Sequence, residues 1–231
     1  MFSTAYQQVL KYKDYDFISI EYLKHDTIWE SYIVDSVCEH LKDGTDFLDI
    51  GAHIGLISLA VNLKKPGHLI HCIECNNINF ENLYFNTRQH DNISLYNFAL
   101  GDKHKICNMI VNAENSGCTH INSTTSSDGT KETYDYSYLE RVRHHYSYNK
   151  LFYSVVPLDS ITFINRISVI KMDVEGFEYF VLLGAKKFLE KHRPTIIIEI
   201  DDEKLEKVNE LLNELDYTVS EILQKGNYVY K

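Results

Sequence analysis

Residues Phe47 to Leu59 run Phe47-Leu48-Asp49-Ile50-Gly51-Ala52-His53-Ile54-Gly55-Leu56-Ile57-Ser58-Leu59, a buried strand that turns on glycine into a helix. Ile57, Ala60 and Val61 recur at helical spacing, and Lys64-Lys65-Pro66-Gly67 stops the helix. A strand that passes straight into a helix commits the chain to β-α-β winding, and such sheets bind nucleotide-like ligands at the carboxyl ends of their strands. The same turn also occurs as a packing device with no ligand, so the rest of the chain has to decide.

The glycines fall at 51 and 55, with His53 between them, whereas a dinucleotide fingerprint wants G-x-G-x-x-G. With Asp49 in front, this spacing points to S-adenosylmethionine. Gly51 allows a tight turn and close approach of the backbone, and Asp49 offers a carboxylate to a cationic amino-acid head group.

A chain of 231 residues with 44% hydrophobic side chains builds one sizeable core, so a single domain over 1–231 is expected. Its net charge of -10 argues against a nucleic-acid partner, whose affinity comes from clustered Lys and Arg. Ser3 to Lys13 is polar and tyrosine-rich, with no apolar leader after Met1, and no apolar run approaches the roughly 20 residues of a membrane span. A cytoplasmic protein without a span is expected. Five cysteines make an odd set, which favours free thiols. Cys72-Ile73-Glu74-Cys75 matches C-x-x-C, but with no second pair it is a weak zinc or redox signal.

Past the first helix, His68 to Ile73 reads as a strand. Asn76 and Asn77 cap a helix with Ile78, Phe80, Leu83, Tyr84 and Thr87 on its apolar face, and Ile93 to Phe98 reads as a third strand. Ile167 to Met172 restarts the alternation and feeds a helix carrying Phe177, Phe180, Val181, Gly184 and Phe188. Thr195 to Ile200 is apolar enough for a central parallel strand. Leu205 to Leu215 gives an amphipathic helix, and Tyr217–Leu223 with Tyr228–Tyr230 gives a terminal hairpin around Lys225-Gly226-Asn227. Residues 118–154 break the pattern and read as a substrate loop inserted over the sheet's C-terminal edge, while 1–45 form a lead-in segment.

Four blocks in this order resemble the FkbM-type S-adenosylmethionine-dependent methyltransferases. They are Asp49-Ile50-Gly51-Ala52-His53-Ile54-Gly55, Glu74-Cys75-Asn76, Val156-Pro157-Leu158-Asp159-Ser160-Ile161, and Lys171-Met172-Asp173-Val174-Glu175-Gly176-Phe177-Glu178. The last leads on to Gly184-Ala185, Arg193-Pro194 and Ile198-Glu199. Cys75 stands where this family commonly has proline. The resemblance implies a Rossmann-like class I α/β fold, with a mostly parallel seven-stranded sheet and a C-terminal antiparallel β-hairpin. It also implies O-methylation of a sugar or glycan hydroxyl; a non-sugar small molecule is the alternative acceptor, and a non-catalytic cofactor-binding partner subunit the alternative role.

For the cofactor, the expected residues are Asp49, Gly51, Ala52, His53, Gly55, Glu74, Cys75, Phe98, Ala99 and Asp173. Glu74 ends the second strand, where a carboxylate accepts bonds from ribose hydroxyls. Phe98, Ala99 and Leu100 lie beside the adenine site that the resemblance implies, with Asn97 or Asp102 as polar contacts. The expected catalytic groups are Asp173, Glu175, His53 and Glu199. If the chain stays extended, Asp173 and Glu175 point to one side, where they hold Mg²⁺, orient a hydroxyl or take its proton. In the plainer reading Asp173 caps the following helix, and Glu199 is a site residue or the next helix's cap. His144-His145, with Tyr146, Tyr148 and Tyr153, form either a sugar-binding cluster or a tyrosine-rich loop.

Overall fold

The computed structural model describes residues 2–12, 25–112, 116–117, 119–134, 146–224 and 226–231. A short antiparallel ribbon, β1 Phe2–Ser3 and β2 Gln8–Val9, precedes α1 Ser31–His40. The alternation then runs β3 Asp46–Ile50, α2 Leu56–Lys64, β4 Ile70–Ile73, α3 Asn77–Thr87 and β5 Ile93–Tyr96. It is interrupted by β6 Ala99–Leu100, β7 Lys105–Asn112, β8 His120–Ser126, β9 Lys131–Thr133 and β10 Tyr146–Val156. It resumes with β11 Ile167–Met172, α4 Glu178–Leu183, α5 Lys186–His192, β12 Thr195–Glu199, α6 Leu205–Glu214, β13 Val219–Gln224 and β14 Asn227–Tyr230.

The main sheet has seven strands in the order β13-β14-β12-β11-β3-β4-β5. Strands β12, β11, β3, β4 and β5 are parallel, and β14 runs antiparallel to both of its neighbours. This is the expected fold class. Every residue of β3, β4 and β11 is buried, as helices on both faces require. Side chains alternate between two cores: Leu48, Ile50, Ile170 and Ile198 meet Phe177, Val181 and Leu212, while Phe47, Val169 and Ile197 meet Val34, Val37 and Ala60. From β3 the chain winds one way to β4 and β5, and from β11 the other way to β12, which opens a crevice at the β3/β11 strand ends.

Three local expectations change. Helix α3 buries only part of the expected apolar stripe: Leu83 and Thr87 point inward with Leu83 in the core, but Ile78 and Tyr84 are exposed, and Asn79, Asn82 and Asn86 complete the inward face. The asparagines there meet backbone. Asn86 Nδ2 donates to the Ile54 and Lys11 carbonyls at 2.9 and 3.0 Å, and its Oδ1 accepts from Lys11 N at 2.6 Å. The single helix expected after Gly176 is two, parted at Gly184. Finally, the chain expected as a loop over 118–154 contributes strands to a second sheet, ordered β6-β10-β7-β8-β9, which begins earlier, at Ala99. Burial alternates along β7, with Lys105, Cys107 and Met109 buried and Ile106 exposed, the period of a half-covered strand. The His144-His145 pair lies outside the described residues.

Candidate active site

A cavity of about 260 Å³ fills the crevice and is built around the turn after β3. Gly51 N and Ala52 N both donate to the Ile73 carbonyl, at 2.9 and 3.0 Å, which pins the turn to β4. Gly51 has φ 77, and a Cβ there would lie 1.8 Å from the Asp173 carbonyl oxygen. No side chain fits between these two strand ends. His53 follows in the left-handed region, φ 52, which brings its N–H to Glu74 Oε2 at 3.0 Å. Asn76 N–H reaches Glu74 Oε1 at 2.7 Å. Burial pushes the Glu74 carboxyl up to about 7, although both backbone donors favour its anion. Each carboxylate oxygen has more than one lone pair, so Glu74 accepts further bonds from the cavity side.

Of the residues expected at the cofactor, Gly51, Ala52, His53, Glu74, Cys75, Phe98, Ala99 and Asp173 line the cavity. Asp49 and Gly55 do not. Asp49 is fully buried, accepts from Ser58 Oγ at 2.6 Å, and lies 3.7 Å from Lys171 Nζ, so its carboxylate serves the cavity floor rather than a ligand head group. Gly55, φ 89, opens α2 where an added Cβ would lie 2.7 Å from Leu83 Cδ1, so its part is packing. Asn97 and Asp102 are not lining residues either: Asn97 Nδ2 donates to the Glu74 carbonyl at 2.9 Å, and Asp102 pairs with Lys105 at 3.0 Å.

Cys75, Phe98, Leu100, Met109, Ile121 and Phe177 give the cavity apolar walls beyond Glu74, with Asn79, Ser116 and Thr119 as polar lining. The other end is charged. Lys171, buried near the end of strand β11, donates to the Gly51 carbonyl at 3.0 Å and stands 3.5 Å from Asp173 Oδ2. Burial opposes its charge, but Asp173, Asp49, Glu30 and Glu199 outweigh that and hold the ammonium above the usual lysine range. The Glu30 carboxyl is raised by burial, with Lys171 opposing and Asp173 adding to the rise. Glu175 is raised well above the usual range by burial and by the Asp173, Glu199 and Glu178 carboxylates. Glu199, at the exposed mouth, is raised by partial burial of its carboxyl and then by Asp173 and Glu30.

The capping reading of Asp173 fails. Helix α4 has Phe177 at its N-cap with no side-chain cap, and Glu178 Oε1 takes the Val174 and Gly176 N–H groups at 3.3 and 2.9 Å. Asp173 instead faces the cavity, with its own N–H on the Ile50 carbonyl at 3.1 Å. The extended path supposed for Asp173 to Glu175 also breaks, because Glu175 has φ 53, yet both residues reach the cavity. Among the described residues, no three His, Cys, Asp or Glu side chains are placed to hold a metal ion, so the Mg²⁺ expectation for Asp173 and Glu175 finds no site. The C-x-x-C thiols likewise form no such group: Cys72 Sγ contacts Ser58, and Cys75 Sγ contacts Met109. Sequence reasoning missed Lys171, Trp29, Glu30 and Ser116 as lining residues. Ser116 Oγ sits 2.8 Å from His53 Nε2.

Residues 49–230 match the methyltransferase FkbM domain, and the chain belongs to that family. No curated protein matches it. Among solved structures it is similar to a methyltransferase FkbM from Methylobacillus flagellatus KT, with 18% identity over 82% of this chain and a TM-score of 0.50. The chain spans 44% of the length of that relative. A precorrin-6y C5,15-methyltransferase from Geobacter metallireducens GS-15 is 13% identical over 87% of each chain, with a TM-score of 0.46. Fibrillarin from Aeropyrum pernix, solved with bound S-adenosyl-L-methionine, is 10% identical over 82% of this chain and 66% of its own, with a TM-score of 0.44. Among the described residues, no helix is long and apolar enough to cross a membrane.

Proposed function

We propose that the chain is an S-adenosylmethionine-dependent O-methyltransferase acting on a hydroxyl of a sugar or glycan. The observation that carries this reading is a single cavity that runs from apolar to acidic across the Gly51 turn. The apolar end suits adenine, Glu74 suits the ribose hydroxyls, and the acidic end suits a cofactor that carries an ammonium and a sulfonium. A dinucleotide fits poorly. Its pyrophosphate would face Glu30, Glu74, Asp173, Glu175 and Glu199, with Lys171 as the only lysine or arginine among the described lining residues.

When bound, S-adenosylmethionine supplies an electrophilic methyl that moves to the acceptor oxygen while sulfur keeps the bonding pair. The chain's own residues align and deprotonate. Lys171 ties the Gly51 turn to Asp173, so cofactor and acceptor sides share one rigid pivot. Asp173 is the group we assign to take the hydroxyl proton, with His53, Glu175 and Glu199 as neighbours that hold the acceptor; such a base contributes about 10² to 10⁴ in rate. Trp29 at the rim offers an aromatic face to a sugar ring. Methyl transfer from labelled S-adenosylmethionine to a panel of sugars, glycans and non-sugar alcohols tests this. Transfer confined to the non-sugar alcohols overturns the acceptor class, and binding of NAD in place of S-adenosylhomocysteine overturns the cofactor.

A further inference from the structure

A second, smaller cavity of about 70 Å³ adjoins the first beyond Asp173, Glu175 and Glu199. Its far wall is Glu178, Asp201 and His120. Glu178 is 2% exposed, and while its Oε1 holds two backbone N–H groups, its Oε2 is buried with no hydrogen-bond partner. A buried carboxylate oxygen left unmatched beside an opening has lone pairs to offer a donor. His120 Nδ1 lies 2.8 Å from the Glu175 carbonyl, which can only accept, so Nδ1 carries a proton, and burial disfavours a second proton on the ring. Among the described residues, Lys171 is engaged with Gly51 and Asp173, and Lys204 with Asp201 at 3.1 Å.

The pocket is therefore rich in acceptors and small. A metal ion suits it less well than an organic cation, because among the described residues no three ligand side chains converge on one point. An ammonium head needs only acceptors spread around it and room of this order.

We propose that this second pocket seats the protonated amine of the acceptor, which makes the acceptor an amino sugar rather than a neutral or N-acylated one. The inference rests on the reading of the larger cavity as the S-adenosylmethionine site. It places the amine on the far side of Asp173 from the cofactor, with the hydroxyl to be methylated between them. Neutral sugars satisfy the hydroxyl contacts but leave Glu178 Oε2 unmatched, and an acetamide adds bulk and removes the charge.

Calorimetry on the whole protein loaded with S-adenosylhomocysteine, at pH 6.5, compares D-glucosamine with N-acetyl-D-glucosamine and D-glucose. Glucosamine should bind at least tenfold more tightly than either. Glu178→Gln keeps an oxygen for the Val174 and Gly176 N–H groups and points donors into the pocket, so it should cut that preference threefold or more. Asp201→Asn, at an exposed position, should act in the same direction without touching the core. Equal affinities for the three sugars, or no glucosamine binding, overturn the proposal while leaving the cofactor reading intact. If either substitution weakens S-adenosylhomocysteine instead, the pocket holds the cofactor's own amino group and the proposal falls. Failure of the wild-type protein to bind S-adenosylhomocysteine at all sinks both readings together.

Discussion

Gly51→Ala and Gly44→Ala together separate two costs that a single substitution would confuse. Both glycines lie in the left-handed region, φ 77 and φ 71, where an L-residue costs about 1–2 kcal/mol. Around Gly44 a Cβ meets nothing within 4 Å, so only this backbone cost applies, partly offset by about 0.4–1 kcal/mol from a stiffer unfolded chain. At Gly51 the new Cβ lies 1.8 Å from Asp173 O, inside the 3.0 Å that real contacts respect, so the β3 and β11 ends must part by more than 1 Å. That movement strains the Asp173 N–H to Ile50 bond and the Lys171 bond to the Gly51 carbonyl, each worth about 1 kcal/mol. Overpacking adds about 1–3 kcal/mol, which brings the loss for Gly51→Ala to about 3–6 kcal/mol. For a chain of this size, thermal unfolding should fall by about 10–20 °C for Gly51→Ala and by less than about 5 °C for Gly44→Ala. Circular dichroism melts read both, and S-adenosylhomocysteine titration should show affinity lost only at Gly51. Equal shifts in the two melts would refute the close approach of the Asp173 backbone.

Asp173→Asn removes no helix cap but takes the charge from the partner of the buried Lys171, so it should lower the melting temperature while turnover drops further, by about 10² or more; retained turnover in the labelled-methyl assay moves the base to His53, Glu175 or Glu199. Glu74→Ala should weaken S-adenosylhomocysteine by about 1.5–3 kcal/mol in calorimetry, the scale of hydrogen bonds to a charged group, and an unchanged affinity would put the ribose elsewhere. With no ligand bound, stability should decline between pH 6.5 and 8. Glu74 and Glu178 at about 7, with Glu175 and Glu199 also raised, hold protons that the unfolded chain has already lost, so their contribution is full below the ordinary carboxylate range and fades as pH climbs through the raised values. His40, His120 and His192, all lowered by burial, act in the opposite sense only below their ordinary value of 6.5, which is why the window starts there. A melting temperature that rises from pH 6.5 to 8 would contradict the burial of these carboxyls.

What the sequence made legible was local. Gly51 and Glu74 announce themselves because a turn and a strand end each lie within a few residues, and β11, β12 and the hairpin carry their periodicity in their own side chains. The face of α3 was misread because asparagines there bond to the backbone of Ile54, Lys11 and Ser116, contacts that no helical periodicity encodes. Glu30 and Trp29 reach the cavity from a segment well upstream of β3, so only the tertiary fold brings them in. Lys171 carried a signal that was available: a lysine inside the buried run Ile167–Met172 has to find partners, and a buried ammonium at a strand end next to Asp173 marks the crevice.

Lys171 also explains how so many acids coexist. Asp49, Glu30, Asp173 and Glu199 all act on the Lys171 ammonium, with Glu175 beside Asp173 and Glu199, and a single positive charge cannot hold five neighbouring carboxylates ionised. Burial raises the Glu30, Glu175 and Glu199 carboxyls, and the charge of Asp173 adds to each rise. Asp173 is the carboxylate closest to Lys171 Nζ, at 3.5 Å against 3.7 Å for Asp49, and unlike Asp49 it opens onto the cavity. The lysine therefore spends its charge on the one acid positioned between the Gly51 turn and the second pocket, and the remaining acids respond to whatever cation enters.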